Sequence, residues 1–169
     1  MNSRPPPSGR ILSMPPLDHF GGGAAGHCAF CRIIRGEEVG SIIHEDINCL
    51  AFLDIHPLFP AHTLVVSRRH YPDVLEVPED IALHCMALAR RLAPALRRAT
   101  GGAGVNLFCA NGRAGGQDVP HFHIHVIPIP EGSRFPLQLP RSDAAEAARP
   151  DLDRMAERIT EAVQELNAP

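Results

Sequence analysis

The sequence predicts an α+β domain on three observations. Five apolar runs have strand length, a long segment of helical period separates the third from the fourth, and most connections are too short for parallel crossovers. A chain of 169 residues with 44% hydrophobic and 21% charged residues suits one compact domain. Its formal net charge of −3 supplies no global basic field, which argues against duplex nucleic acid as a partner. No stretch approaches the roughly 20 apolar residues that a membrane span needs. Nothing near Met1 reads as a secretory signal, and the cysteine count, 5, is odd. A soluble cytoplasmic protein without disulfides and without a membrane partner is expected.

Residues 1–26 are rich in Pro, Gly and Ser and end in Gly21-Gly22-Gly23-Ala24-Ala25-Gly26, too little apolar surface to offset the entropy of ordering. A disordered tail is expected there, with the domain running from 27 to 169. Residues 28–34 have the look of a short helix stopped at Gly36. Residues 41–45, 49–53 and 62–66 read as strands separated by the turn formers Asp46, Asn48, Pro57 and Pro60. From Pro78 onward Ile81, Cys85, Leu88, Leu92 and Leu96 recur at helical spacing, and Pro94 is expected to kink or shorten that helix. Residues 105–110 and 121–128 return to strand. Leu152, Met155, Ile159, Val163 and Leu166 form the stripe of an amphipathic helix, expected to lie on the domain or on a partner subunit.

The run Gln117-Asp118-Val119-Pro120-His121-Phe122-His123-Ile124-His125 carries the chemistry. Side chains alternate along a strand, so His121, His123 and His125 are expected on one face and Phe122, Ile124 and Val126 on the other. Three imidazoles on one face are costly as mere packing, because each brings two polar nitrogens that need partners. They suit either a metal ion or a phosphate, with one imidazole as nucleophile and another as donor. The glycine-rich approach Asn111-Gly112-Arg113-Ala114-Gly115-Gly116-Gln117 favours the phosphate, because its backbone donors suit an anion. An imidazole of ordinary pKa, about 6.5, is roughly three-quarters neutral at pH 7 and can attack phosphorus without large tuning.

These residues resemble the histidine-triad motif, and the likeness extends over about residues 27 to 130. It takes in Cys28-Ala29-Phe30-Cys31-Arg32-Ile33-Ile34-Arg35-Gly36-Glu37, Ala51-Phe52-Leu53-Asp54-Ile55 and Pro60-Ala61-His62-Thr63-Leu64-Val65-Val66, in family order. The resemblance implies the histidine-triad fold, a curved antiparallel sheet of about five strands with flanking helices, usually paired as a homodimer. It implies a hydrolase cleaving at the α-phosphate of a purine nucleotide conjugate, a nucleoside phosphoramidate or a dinucleoside polyphosphate, through a nucleotidyl-histidine intermediate. By that likeness His123 is the nucleophile, His125 binds or protonates phosphate oxygens, and His62 supports the site. Gln117 and the backbone around Gly116 and Asp118 line the phosphates, Asp54 accepts from the ribose hydroxyls, and Phe30, Ile33 and Ile55 enclose the base. For Phe30 and Ile33 a core-facing helix stripe is the competing reading. The histidine at 125, where the uridylyltransferase relatives have glutamine, points to the hydrolase branches. Asp118 stands where Ser or Thr is more usual, and Ile129 where arginine often follows the motif.

Cys28 and Cys31 form a Cys-x-x-Cys pair, which alone is half of a structural zinc site. In zinc-containing members of the family two histidines complete it, here His70 and His121, so the resemblance implies a structural zinc. The competing reading makes both cysteines small residues on the first helix. A thiol-redox role is weaker, for want of a thioredoxin-like context. The remaining histidines, His19, His27, His44, His56 and His84, show no constellation and are expected to be solvated or capping. Two other functions stay open at this point: a nucleotide-binding or scaffolding module with incidental activity, and a metal-dependent enzyme using all three motif histidines.

Overall fold

A computed structural model describes residues 27–136 and 147–166. The chain divides into two compact units, one ending at Phe135 and the other beginning at Pro136. The expected tail, residues 1–26, lies outside the described residues.

The first unit opens with helix α1 (Ala29–Ile34), followed by strands β1 (Ile42–Glu45), β2 (Cys49–Leu53) and β3 (Thr63–Ser67). Helix α2 (Glu79–Thr100), strand β4 (Gly104–Phe108), a single 3-10 turn (Arg113–Gly115) and strand β5 (His123–Ile129) complete it. The five strands form one sheet in the order β1-β2-β3-β5-β4, and every neighbouring pair is antiparallel. The α+β class and the antiparallel sheet with flanking helices are therefore as the sequence predicts.

The two faces of the sheet have separate cores. Cys49 and Ala51 of β2, Val65 of β3, and Ile124 and Val126 of β5 pack with Cys85, Leu88, Ala89, Ala93 and Leu96 of α2. The alternate residues Leu50, Phe52, Leu64 and Val66 pack with Phe30 and Cys31 of α1. Antiparallel partners share a face, and β5 pairs His123 with Val66 and His125 with Leu64. Both histidines thus stand on the α1 face.

Helix α2 has Glu79 and Asp80 in its first turn, Arg97 and Arg98 in its last, and a left-handed Gly101 as its C-cap. It does not stop at Pro94: the helix continues to Thr100, contrary to the expected shortening. Buried Ala89, Ala93 and Leu96 carry the apolar stripe across the proline, and that packing outweighs the donor the proline lacks. In the second unit, α3 (Arg149–Leu166) has the predicted amphipathic stripe, and no residue of it is buried.

Candidate active site

His123 is buried at the start of β5. Its Nδ1 lies 2.6 Å from the carbonyl oxygen of His121. A carbonyl only accepts, so Nδ1 carries the proton and Nε2 keeps its lone pair. That Nε2 is 3.1 Å from Nε2 of His125. Nδ1 of His125 in turn lies 2.9 Å from Nε2 of His62, and Nδ1 of His62 accepts the backbone N–H of Leu58 at 3.3 Å. An amide donor at one end and a carbonyl acceptor at the other give one self-consistent set of tautomers along the row. His62 donates through Nε2 to His125, His125 through Nε2 to His123, and His123 through Nδ1 to the backbone. Three neutral imidazoles then share one direction of donation, and the donor N–H of His125 points at the lone pair of His123.

The electrostatics agree with neutral rings. Burial pushes the His123 pKa below the usual histidine value, with the His121 carbonyl partly opposing. His125 is held down to about 4, first by burial and then by the neighbouring His123 and His62. Burial also lowers His62, against the nearby Asp54. Asp54 follows β2 and places Oδ2 3.4 Å from Nδ1 of His62, while its Oδ1 accepts the N–H of His56 at 2.9 Å. Ala61, just before His62, has φ of 63°, a left-handed conformation that costs a non-glycine residue about 1–2 kcal/mol. His62 is buried beyond that turn, and its N–H bonds Phe59 O at 3.0 Å.

Phe30 joins α1 to the catalytic strand, its ring edge-on to His123 at 5.2 Å, to Phe52 at 5.5 Å and to His121 at 5.8 Å. Phe30 is buried, and Ile33 packs partly buried against the same cluster; the core-stripe reading therefore describes their contacts. Ile55, by contrast, is 83% exposed in the loop that carries Asp54. Phe108 of β4 lies 5.7 Å from the His125 ring, a neighbour that sequence reasoning missed.

The glycine-rich loop is braced from within. Gly112 and Gly116 flank the 3-10 turn with φ of 69° and 85°, which requires glycine at both. Gly115, Gly116 and Gln117 donate their N–H groups to carbonyls of the same loop. The Gln117 side chain accepts the Gly112 N–H at 2.8 Å and donates to Pro72 O at 2.7 Å. Those donors are engaged within the protein, so the expectation of a freely offered row of donors is not met there. Asp118, next in the chain, is exposed.

His121 differs from its neighbours. It precedes the strand, is fully buried, and directs Nε2 to Ser67 O at 2.7 Å. Its Nδ1 faces Cys28 Sγ at 3.3 Å, Cys31 Sγ at 3.6 Å and His70 Nδ1 at 3.3 Å, and Cys31 Sγ is 3.4 Å from His70 Nδ1. All four ligand atoms lie within 4.8 Å of one another. Zinc bond lengths of about 2.0–2.3 Å put the edges of a tetrahedron at roughly 3.3–3.8 Å, so this donor set fits a tetrahedral zinc. The hydrogen bond from Cys31 holds the Cys28 thiol down to about 3, and the same bond together with burial pushes Cys31 up. The sequence-derived residues are thus gathered into two groups, and one expectation fails: His44 and His84 are not isolated, since both contact Asp46.

An antiparallel sheet that presents a tautomerically fixed imidazole beside a glycine-rich loop belongs to the histidine-triad class of nucleotide-binding proteins. Comparison with known proteins agrees: residues 35–132 match the HIT domain, and the chain belongs to the HIT family. An uncharacterized HIT-like protein of Methanocaldococcus jannaschii is 41% identical over 62% of this chain and 81% of its own length. An adenylylsulfatase of Arabidopsis thaliana is 39% identical over 62% of this chain and 53% of its own, and an adenosine 5'-monophosphoramidase of Candida albicans is 32% identical over 60% and 69%. Among solved structures, SMU.412c of Streptococcus mutans superimposes with a TM-score of 0.77 at 32% identity, covering 84% of this chain and 88% of its own. A zinc-bound histidine triad family protein of Mycobacterium smegmatis does so with 0.63 at 29% identity, covering 84% and 99%.

Proposed function

We propose that the protein hydrolyses a purine nucleotide conjugate at its α-phosphate, through a nucleotidyl group carried on Nε2 of His123. The observation that carries this reading is the 2.6 Å bond from His123 Nδ1 to the His121 carbonyl, which leaves Nε2 unprotonated and aimed away from the backbone. In the first step Nε2 bonds phosphorus and the bond from phosphorus to the leaving group breaks. The His123 ring becomes cationic, and the His121 carbonyl stabilises it through the Nδ1 proton. His125 turns its Nε2–H from the nucleophile to a phosphate or leaving-group atom. The negative phosphate beside His125 favours its protonated form, against the burial and the neighbouring imidazoles that hold its pKa down. Once His125 has given its proton to the leaving group, its Nε2 takes a proton from water as the water attacks phosphorus, the bond to Nε2 of His123 breaks, and the nucleoside monophosphate leaves.

The same reading assigns Asp54 to the ribose hydroxyls, Phe30, Ile33 and Ile55 to the base, and Gly116, Gln117 and Asp118 to the frame around the phosphates. Relatives named adenylylsulfatase and adenosine 5'-monophosphoramidase support an adenosine conjugate with an acidic or amine leaving group. Cys28, Cys31, His70 and His121 would hold a structural zinc, whose chemistry is to cross-link α1 to the segment before β5 with no open position for substrate. Five free cysteines suit a reducing compartment, the cytoplasm, and among the described residues no helix is long and apolar enough to cross a membrane. The β4 edge, with Leu107 and Phe108 exposed, supports pairing with a second copy.

Mass spectrometry of acid-quenched protein, incubated with adenosine phosphoramidate and with diadenosine polyphosphate, tests the mechanism. The expected result is a nucleotidyl adduct on His123 with one substrate class. Steady turnover in the His123→Ala variant would overturn it.

A further inference from the structure

The turn between β1 and β2 holds a cluster that the proposed chemistry does not use. Asp46 Oδ1 accepts the backbone N–H groups of Asn48 and Cys49, each at 2.9 Å, which fixes the carboxylate in the turn. Its other oxygen, Oδ2, meets His84 Nε2 of α2 at 2.8 Å and His44 Nε2 of β1 at 3.1 Å. Cys49 Sγ lies 3.6 and 3.7 Å from the two oxygens of the same carboxylate. Asp46 Oδ2, Cys49 and His84 offer ligand atoms within 4.8 Å of one another.

We propose that Asp46, Cys49 and His84 form a second, three-ligand binding site for a divalent transition ion of the zinc type, with His44 beside it on the same carboxylate. The Asp46 carboxylate lies 2.8 Å from His84 and 3.6–3.7 Å from Cys49, and all three donors lie within 4.8 Å of one another, so small shifts bring them to the edges set by zinc bonds of about 2.0–2.3 Å. An imidazole, a carboxylate and a thiol select zinc, cobalt or nickel over calcium and magnesium, which prefer oxygen alone. Cys49 is fully buried, whereas the His44 and His84 side chains are each 35% exposed, so an ion enters from solvent and meets the sulfur at the inner end. On binding, the thiol proton leaves to solvent and the sulfur takes its place on the ion. Toward the carboxylate this sulfur makes only long thiol hydrogen bonds.

The location separates this site from the other two. Cys49 packs on the α2 face of the sheet, whereas the Cys28 cluster and the catalytic histidines occupy the α1 face. An ion here would pin the β1–β2 turn to α2, leaving the catalytic face untouched. Neither the proposed hydrolysis nor the site at Cys28 is required for it.

The test is equilibrium dialysis of the full chain against zinc, with metal content read by mass spectrometry and repeated with cobalt for its visible spectrum. The native protein is expected to hold two equivalents, and His84→Gln and Asp46→Asn one each. Asparagine keeps the oxygen that accepts the two turn N–H groups, and His84 is half-exposed, so at least one variant retains the fold. A Cys31→Ser variant should also drop to one equivalent, losing the other site. Cobalt in that variant should show a thiolate charge-transfer band that Cys49→Ala removes. An equivalent count that neither His84→Gln nor Asp46→Asn lowers from the native value would overturn the proposal, whether or not the Cys28 site is loaded.

Discussion

Two groups of histidines lie on one face of the sheet, and they are organised in opposite ways. His62, His125 and His123 form a row in which each ring donates to the next, from the Leu58 amide to the His121 carbonyl. Cys28, Cys31, His70 and His121 converge, with four lone-pair atoms facing one point. A row has ends, and one lone pair can be turned outward to a substrate. A convergent set is closed and suits only a cation. The chain switches between them within two residues, because His121 comes before the ladder and meets α1 and the loop after β3, while His123 is fixed by pairing with Val66.

The sharpest break in this comparison is His123→Ala. If His123 is the nucleophile as proposed, its removal should lower turnover by on the order of 10⁴-fold or more, the scale of losing a covalent catalytic group. Nucleotide affinity, measured by calorimetry with the product monophosphate, should change by less than about tenfold. Cys31→Ser should give the mirror image. Loss of a convergent site is expected to cost several kcal/mol, which at this chain length lowers Tm by about 5–10 °C, with turnover of the folded fraction within about threefold of native. If chelator treatment leaves Tm unchanged while abolishing activity, the two roles have been assigned to the wrong groups.

The row should also be legible in pH dependence. The folded pKa of His125 is about 4 and that of His123 is also below 6.5, both chiefly through burial. Between the folded and unfolded values the unfolded chain binds more protons, so stability rises with pH across that window and is lost as pH falls from about 6.5 toward 4. For activity, a nucleophile kept neutral by burial places the acid limb of kcat/KM below pH 6.5. An acid limb centred at or above 6.5 would mean that Asp54 and the neighbouring dipoles outweigh burial at the nucleophile.

Much of this arrangement could be read in the chain because it is local. Alternation placed Phe122, Ile124 and Val126 in the α2 core, and helical spacing located α2 across residues that no motif marks. The grouping of Cys28 and Cys31 with His70 and His121 required the family likeness, since α1 and the loop after β3 meet only in three dimensions. What stayed hidden was held by long-range contact. Nothing in the spacing of His44, Asp46 and His84 announces that α2 crosses the β1–β2 turn. The shortening expected at Pro94 does not occur, because a local rule about a missing donor competes with burial on either side of it. The glycines before the histidines mark a loop rich in backbone donors, yet the sequence does not reveal that Gln117 engages it from within.

Gln117 is where the two groups touch, and its removal should give the smallest and most informative effect. Its amide accepts from Gly112 in the loop and donates to Pro72, two residues beyond His70; it also lies 3.4 Å from the His121 carbonyl that orients His123. Gln117→Ala would leave the half-buried Gly112 N–H and Pro72 carbonyl without this partner, a cost of about 1 kcal/mol. The expected result is a Tm lower by a few degrees and a kcat/KM lower by about tenfold, carried mainly by KM, because the loop loosens while the His121 carbonyl keeps its bond to Nδ1. Gln117→Glu sharpens the point: it preserves the acceptor for Gly112 but sets a carboxylate against the carbonyls of Pro72 and His121. If Gln117→Glu lowers kcat rather than raising KM, the side chain acts on the orientation of His123, and the row and the convergent set are mechanically one device. If only KM moves, they are independent, as their geometry argues.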